Sequence, residues 1–261
     1  MYRAMASATT GMQAQELRIE VISNNLANVN TNGFKKARAD FQDLLYEEIR
    51  SPGAVEQGDQ LAPAGLEVGH GTRVAATSRY HTMGDLRQTS GTLDIAIEGD
   101  GFFQVRDANG EVAYTRDGAL KTDAQGQLVT SNGLLVEPPV ALPPDAAAVT
   151  IARDGTVSIR RAGETDEVNV GQLSLANFVN PAGLRALGRN LFAETPASGQ
   201  PLIANPGQQG TGSLLQGFLE SSNVEVVTEM MDLITTQRAY ETSSKVIQAA
   251  DEMLRTTANM R

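Results

Sequence analysis

The side chains that could carry acid–base, nucleophilic or ligand chemistry are few and scattered in this 261-residue sequence. There is no cysteine, which removes thiolate nucleophiles, thiolate metal sites and disulfides together. Two histidines, His70 and His81, are the only side chains that ordinarily titrate near neutrality. His70 lies in a glycine-rich stretch and His81 follows Tyr80 at a strand end. Neither has partners at metal-ligand spacing, and both read as ordinary exposed histidines. The carboxylate neighbours Glu47-Glu48 and Asp166-Glu167 are the residue types of a glycosidase acid and base. Nothing in the spacing pairs them in space, and adjacent surface carboxylates are common. Residues Asp107 to Glu111 lack the register of a calcium loop and read as a hairpin turn. The Gly-Asp-Gly-Phe-Phe run at 99–103 lacks a phosphate-binding fingerprint. No metal, cofactor or catalytic group is expected, and the chain is not read as an enzyme.

Composition narrows the partners. A net charge of −10 opposes binding to nucleic acid, whose phosphates it would repel. The charge is uneven: the excess acid lies between residues 41 and 220, while the two ends balance each other. Near-neutral ends suit close packing and a charged middle suits solvent. No apolar run reaches the roughly 18 residues that would cross a bilayer, so no membrane insertion is expected. The first residues lack the apolar core and cleavage site of a secretory signal peptide. The sequence by itself reads as soluble and cytoplasmic, and any export would use a non-cleaved route.

The elements follow from periodicity. Met5, Ala8, Met12, Gln15, Ile19, Ile22, Leu26 and Val29 recur at alternating spacings of three and four, the seam of a helix over 5–29. Gly11 weakens that helix locally by about 1 kcal/mol. Near the other end, Val226, Leu233, Tyr240, Ile247 and Leu254 recur every seventh residue, with Met230, Gln237, Ser244, Asp251 and Ala258 as companions. Val227, Met231, Ile234, Val246, Ala250 and Met253 widen this stripe beyond what one neighbouring helix covers. Between the ends, alternation takes over at Leu93, Ile95 and Ile97, at Val157 and Ile159, at Val168 and Val170, and at Leu173 and Leu175. Asn109-Gly110, Asp117-Gly118, Asn132-Gly133 and Asp154-Gly155 have hairpin-turn chemistry. They predict an antiparallel sandwich or barrel-like region from about 70 to 215. Residues 51–71 and the Pro138-Pro139 and Pro143-Pro144 steps read as neither helix nor strand.

The predicted architecture is α+β: a discontinuous terminal domain of paired, coiled-coil-like N- and C-terminal helices (1–42 with 220–261), an extended segment (43–70), and an inserted, mainly antiparallel β domain (71–219). Two helices leave part of so wide a stripe uncovered, and exposed stripes of this kind mark protein–protein contacts. Met5, Met12, Ile19, Ile22, Leu26, Val29, Val226, Met230, Leu233, Tyr240, Ile247 and Leu254 are the candidate assembly residues.

The densest local motif, NNLANVNTNGF at 24–34, reads physically as a helix ending. Its asparagines satisfy stray backbone groups, Asn32-Gly33 supplies left-handed geometry, and Phe34 restarts packing. With the two lysines that follow, it also resembles the N-terminal signature of bacterial flagellar rod, hook and hook-associated proteins, through Asn24, Asn25, Asn28, Thr31, Gly33 and Phe34. The segment 221–247, with Gln237, Arg238, Ala239 and Tyr240, resembles the matching C-terminal signature. AIEGDGFFQV at 96–105, and YTRDG with DAQGQLVTSNG within 114–133, are similar to the β core of the same family. Length, and the segment 43–69, resemble the distal-rod branch, with a proximal rod or short hook-type subunit as the alternative. The resemblance implies a homo-polymer forming a rigid torque-transmitting tube and export channel. It further implies contacts with the hook protein, the proximal rod proteins and the surrounding P and L ring (bushing) proteins. The location implied is the flagellar basal body, spanning the periplasm, reached by type III export without a cleaved signal peptide. From outside the family, an envelope glycan hydrolase and an adaptor that docks once remain as alternatives.

Overall fold

Both ends of the chain fold as the amphipathic periodicity dictates. In the computed structural model, which describes residues 2–51, 55–56, 60–61, 64–107, 110–161, 163 and 166–259, α1 spans Tyr2–Ala27 and α2 spans Val226–Asn259. Helix α1 stops two residues before Val29, the last member of the predicted seam.

The chain divides into two units. The first comprises Met1–Leu26, Ala37–Ser78 and Glu225–Arg261; the second comprises Ala27–Lys36 and Arg79–Val224. The first unit holds α1, α2 and strands β1 (Ala37–Asp43), β2 (Tyr46–Arg50), β3 (Val55–Glu56), β4 (Gln60–Leu61), β5 (Leu66–Gly69) and β6 (Thr72–Arg79, whose last residue falls in the second unit). Strand β1 pairs with β6, and β2 pairs antiparallel with β5 in the register Tyr46↔Gly69, Glu47↔Val68 and Glu48↔Glu67. The stretch 51–71 therefore contains strand, contrary to the expectation from its Gly, Pro and Ala content. Its alternating residues are too few per strand to register as a period. Parts of it (52–54, 57–59 and 62–63) lie outside the described residues.

The second unit is antiparallel β. Its strands are β7 (Leu86–Gln88), β8 (Ile95–Glu98), β9 (Phe102–Arg106), β10 (Val112–Thr115), β11 (Leu120–Thr122), β12 (Leu128–Thr130), β13 (Leu135–Glu137), β14 (Ala146–Ile151), β15 (Thr156–Arg161), β16 (Glu167–Gln172), β17 (Leu175–Asn177), β18 (Arg185–Gly188), β19 (Leu191–Ala193), β20 (Leu202–Ala204), β21 (Ser213–Gln216) and β22 (Phe218–Glu220). Among the described residues, nine strands form one sheet in the order β11-β12-β13-β9-β10-β19-β18. Strand β17 joins it on β9 and carries β20. A three-stranded sheet, β14-β15-β16, is separate in its hydrogen bonding.

The period of two along β9 explains why this sheet is buried on both faces. Phe103 and Val105 enter a core with Ile95, Ile97, Leu128, Val157, Ile159, Leu173, Leu175 and Leu214. Phe102 faces the other way, into a smaller aromatic cluster with Tyr114, Phe178, Leu184 and Phe192. Asn132-Gly133 and Asp154-Gly155 close the β12–β13 and β14–β15 hairpins, as their chemistry predicts. Asn109 lies outside the described residues. Asp117-Gly118 is not a hairpin turn. A Cβ on Gly118 would lie 1.6 Å from the Ile95 carbonyl oxygen, so glycine is required there for backbone approach.

Candidate assembly surface

Within the first unit, three contacts set the relation of α1 to α2. Asn25 Nδ2 donates to Glu229 Oε2 at 3.1 Å, Arg18 lies 3.8 Å from Asp232, and a Cβ on Gly11 would touch Ser243 Oγ at 3.9 Å. Descending α1 thus matches ascending α2, and the helices lie antiparallel. The buried face of α2 follows Glu229, Thr236, Ser243 and Ala250, a seven-residue repeat displaced by three from the apolar repeat in the sequence. Among the described residues of α1 the fully buried positions are Ala14, Ile22 and Asn25. Small or polar side chains form this seam because helix axes approach closely only over short side chains.

The large apolar residues are left at the flanks and on the opposite face. Of the predicted assembly residues, Ile22 is buried. Met5, Met12, Ile19, Leu26, Val29, Leu233, Ile247 and Leu254 are half-buried, and Val226, Met230 and Tyr240 are exposed. A straight helix drifts about 20° per heptad against a strict seven-residue repeat. The buried line also repeats every seven residues, so the two drift together and the line from Val226 to Leu254 stays on the flank of the buried face. Opposite that face, Val227, Met230, Met231 and Ile234 form a row at the start of α2, 64, 50, 55 and 48 % exposed. The β2–β5 ribbon adds exposed Tyr46, Ile49 and Leu66 to the same unit, with Leu45 just before it.

Asn25 has a positioning role that the motif reading anticipates in kind. Its side-chain amide accepts from Ala37 N at 3.0 Å and donates to Ala37 O at 2.9 Å, while also reaching Glu229. It thereby fixes the entry to β1 and the start of α2. Asn24 is exposed. Gln237 and Arg238 are exposed and Ala239 is half-buried.

In the second unit, the rest of the N-terminal motif leads into a buried charge cluster that sequence reasoning missed. Thr31 bonds back to Asn28 through both its N–H and its hydroxyl. Gly33 adopts φ 66°, and a Cβ there would lie 2.8 Å from the Arg116 carbonyl carbon and the Asp117 nitrogen. Phe34 is buried, and beyond it Lys35 Nζ reaches Glu220 Oε1 at 2.5 Å and Thr82 O at 2.7 Å. Arg116 Nε donates to Glu220 Oε2 at 2.8 Å, and its other nitrogens reach Gly99 O and Gly101 O. The Gly84 N–H also donates to Glu220. The three side chains are 0, 1 and 3 % exposed for Lys35, Glu220 and Arg116. Burial pushes the Glu220 carboxyl up, but Arg116 and Lys35 together outweigh it and hold it below its ordinary value. Burial lowers the Lys35 ammonium, with Glu220 opposing. The segments 33–36, 82–84 and 220–223 are bound together here, also through Asn223, which accepts from Lys36 N and donates to Tyr80 O.

His81 is not the exposed histidine its sequence context suggests. Both ring nitrogens are buried without a hydrogen-bond partner among the described residues, and the ring stands edge-on to Phe102 and Phe192 at 5.4 Å. Burial, with Lys35, Arg116 and Arg79 nearby, lowers its pKa to about 4. No local pattern in the sequence marks it as buried. His70 is partly exposed, 3.7 Å from Glu47, which also pairs with Arg3 at 2.6 Å. Asp166 and Glu167 are exposed. Among the described residues no His/Asp/Glu group could hold a metal ion, and no helix is long and apolar enough to cross a membrane.

Among the described residues, the helices of both chain ends thus share one unit with six short strands, and the second unit is antiparallel β. Three family models match in chain order: "Flagella basal body rod protein" over residues 5–35, "Flagellar hook protein FlgE/F/G D1 domain" over 96–159, and "Flagellar basal body rod FlgEFG protein C-terminal" over 215–260. The flagellar basal-body rod protein FlgG of Buchnera aphidicola subsp. Acyrthosiphon pisum is 49 % identical over 94 % of both chains. FlgG of Caulobacter vibrioides is 46 % identical over 99 % of both, and FlgG of Bacillus subtilis 38 % identical over the whole of both. Among solved structures, a Helicobacter pylori flagellar hook protein, FlgE2, aligns with 71 % of this chain and 43 % of its own at a TM-score of 0.25 and 14 % identity, too low to bear on the fold. The chain belongs to the flagellar basal-body rod protein family. Its relatives place it in the distal rod, as a structural subunit and not an enzyme.

Proposed function

We propose that copies of this chain polymerise into a rigid helical tube that carries torque from motor to hook and encloses the export channel. The observation that carries this reading is the row Val227, Met230, Met231 and Ile234, apolar and half-exposed on the side of α2 that faces away from α1. Large exposed apolar rows are covered by partners, and a head-to-tail, non-closing contact between identical copies generates a filament. In this reading α1 and α2 pair in a coiled-coil-like manner and, with the twelve candidate assembly residues, build the inner layer from 1–42 and 220–261. The segment 43–70 stiffens neighbouring copies through its exposed apolar ribbon, and 71–219 lies outside. The hook protein, the proximal rod proteins and the P and L ring proteins are the remaining partners. The rod crosses the periplasm, and its subunits are exported to it without a cleaved signal peptide.

Ile234→Asp tests the row directly. Ile234 makes no part of the small-residue seam, so the variant should keep its helical content and its folded β unit while failing to form tubes at concentrations where the native chain does. Electron microscopy with concentration-dependent sedimentation reads the outcome. Tubes of normal number and form from the variant would refute the assignment of this face.

A further inference from the structure

Sulfur chemistry in this chain falls entirely to methionine, since cysteine is absent and eight methionines are present. Two of the eight, Met230 and Met231, are consecutive, stand in the exposed row of α2, and are 50 and 55 % exposed. Their neighbours in the row, Val227 and Ile234, carry no oxidisable atom. Met5 and Met12 on α1 are half-buried, while Met83 and Met253 are exposed but stand outside the row.

We infer that Met230 and Met231 form an oxidative modification site that switches off self-assembly of the free subunit. The inference rests on the assembly reading of this row. The oxidant is a two-electron oxygen donor of the peroxide class. The thioether sulfur attacks one peroxide oxygen, the O–O bond breaks, and a sulfur–oxygen bond forms. Sulfur is oxidised by two electrons, and hydrogen peroxide is reduced to one water per sulfoxide. A sulfoxide is polar and a strong acceptor, so two of them in a four-residue apolar row remove half of its apolar side chains. Thiol-dependent sulfoxide reduction reverses the change. Burial in the polymer would shield both sulfurs, which confines the switch to subunits not yet assembled.

The test uses the full chain, held dilute and treated with hydrogen peroxide. The peroxide is then removed, oxidation is mapped by peptide mass, and the critical concentration for polymerisation is measured. Met230 and Met231 should gain oxygen faster than Met5 and Met12, and the critical concentration should rise at least about tenfold. In the Met230→Leu/Met231→Leu variant, whatever its own critical concentration, the ratio of treated to untreated values should fall to near one. A Met83→Leu/Met253→Leu variant should keep the native ratio. The site is overturned if oxidised native protein polymerises as before, if the first variant stays equally peroxide-sensitive, or if the pair oxidises no faster than Met12. Untreated native protein that never polymerises would overturn the assembly reading and the switch with it. The peptide map would then still report how reactive the two sulfurs are, so the two failures are distinguishable.

Discussion

Replacing Glu220 by glutamine would remove one negative charge from a site where two cations depend on it. Its carboxylate is 1 % exposed and accepts from Lys35, Arg116 and the Gly84 N–H. Glutamine keeps the volume but turns one acceptor into a donor facing a buried cation. Leaving a buried charge without its counter-ion costs about 3–5 kcal/mol. For a unit of this size each kcal/mol moves the melting midpoint by roughly 2–4 °C, so a fall on the order of 10 °C is expected. Tyrosine fluorescence suits the measurement, because Tyr114 is buried in this unit and tryptophan is absent. A second substitution checks the cause: Lys35→Met added to Glu220→Gln removes one stranded cation and should recover part of the loss. The pH dependence gives a further sign. Glu220 is held below its ordinary pKa in the folded state, so its stabilisation is complete above the unfolded value and disappears as pH falls through the folded one. Glu220→Gln should flatten that acid limb. A loss below about 1 kcal/mol would mean that water, not Lys35 and Arg116, satisfies this carboxylate.

The remaining expectations concern the second unit. His81 titrates near 4 when folded and near 6.5 when unfolded, so the unfolded chain takes up the proton first, and stability should fall by about 3 kcal/mol as pH drops between those values. His81→Phe should remove that slope in urea titrations at stepped pH, and an unchanged slope would show that the ring reaches water. Gly33→Ala should cost at least about 2 kcal/mol, because left-handed backbone with a Cβ costs about 1–2 kcal/mol before the approach to Arg116 is counted. Equal urea midpoints for Gly33→Ala and the native chain would contradict the backbone argument.

The sequence made the helices legible because each repeats its pattern for several turns, and β8, β15 and β16 were legible from the short alternations at Ile95 and Ile97, Val157 and Ile159, and Val168 and Val170. The Asn25 contacts were foreseeable in kind, since an asparagine at a helix end seeks backbone groups. What escaped was set by distance along the chain. Lys35 and Glu220 are 185 residues apart, and no local pattern distinguishes a buried lysine from a surface one. Periodicity also misplaced the seam between the helices. It finds the largest apolar residues, whereas the closest approach of two helices selects the smallest, here Gly11 and Ser243. The β2–β5 ribbon was hidden because two short strands with mixed charge carry too few alternations to count.

That inversion of large and small bears on how the subunit works. Each residue of the exposed row has about half its surface left to bury, worth on the order of 1 kcal/mol apiece. The four together, with a similar gain on the opposing surface, come to less than 10 kcal/mol. Association costs about 4–15 kcal/mol in lost freedom, so one such contact leaves a pair of molecules only weakly bound. The same row becomes sufficient when each copy is held by several neighbours at once, because the ordering cost is met once while the contacts multiply. An adaptor that docks once would need a better row than this. A filament subunit that must stay single until it reaches the growing end is well served by a weak one.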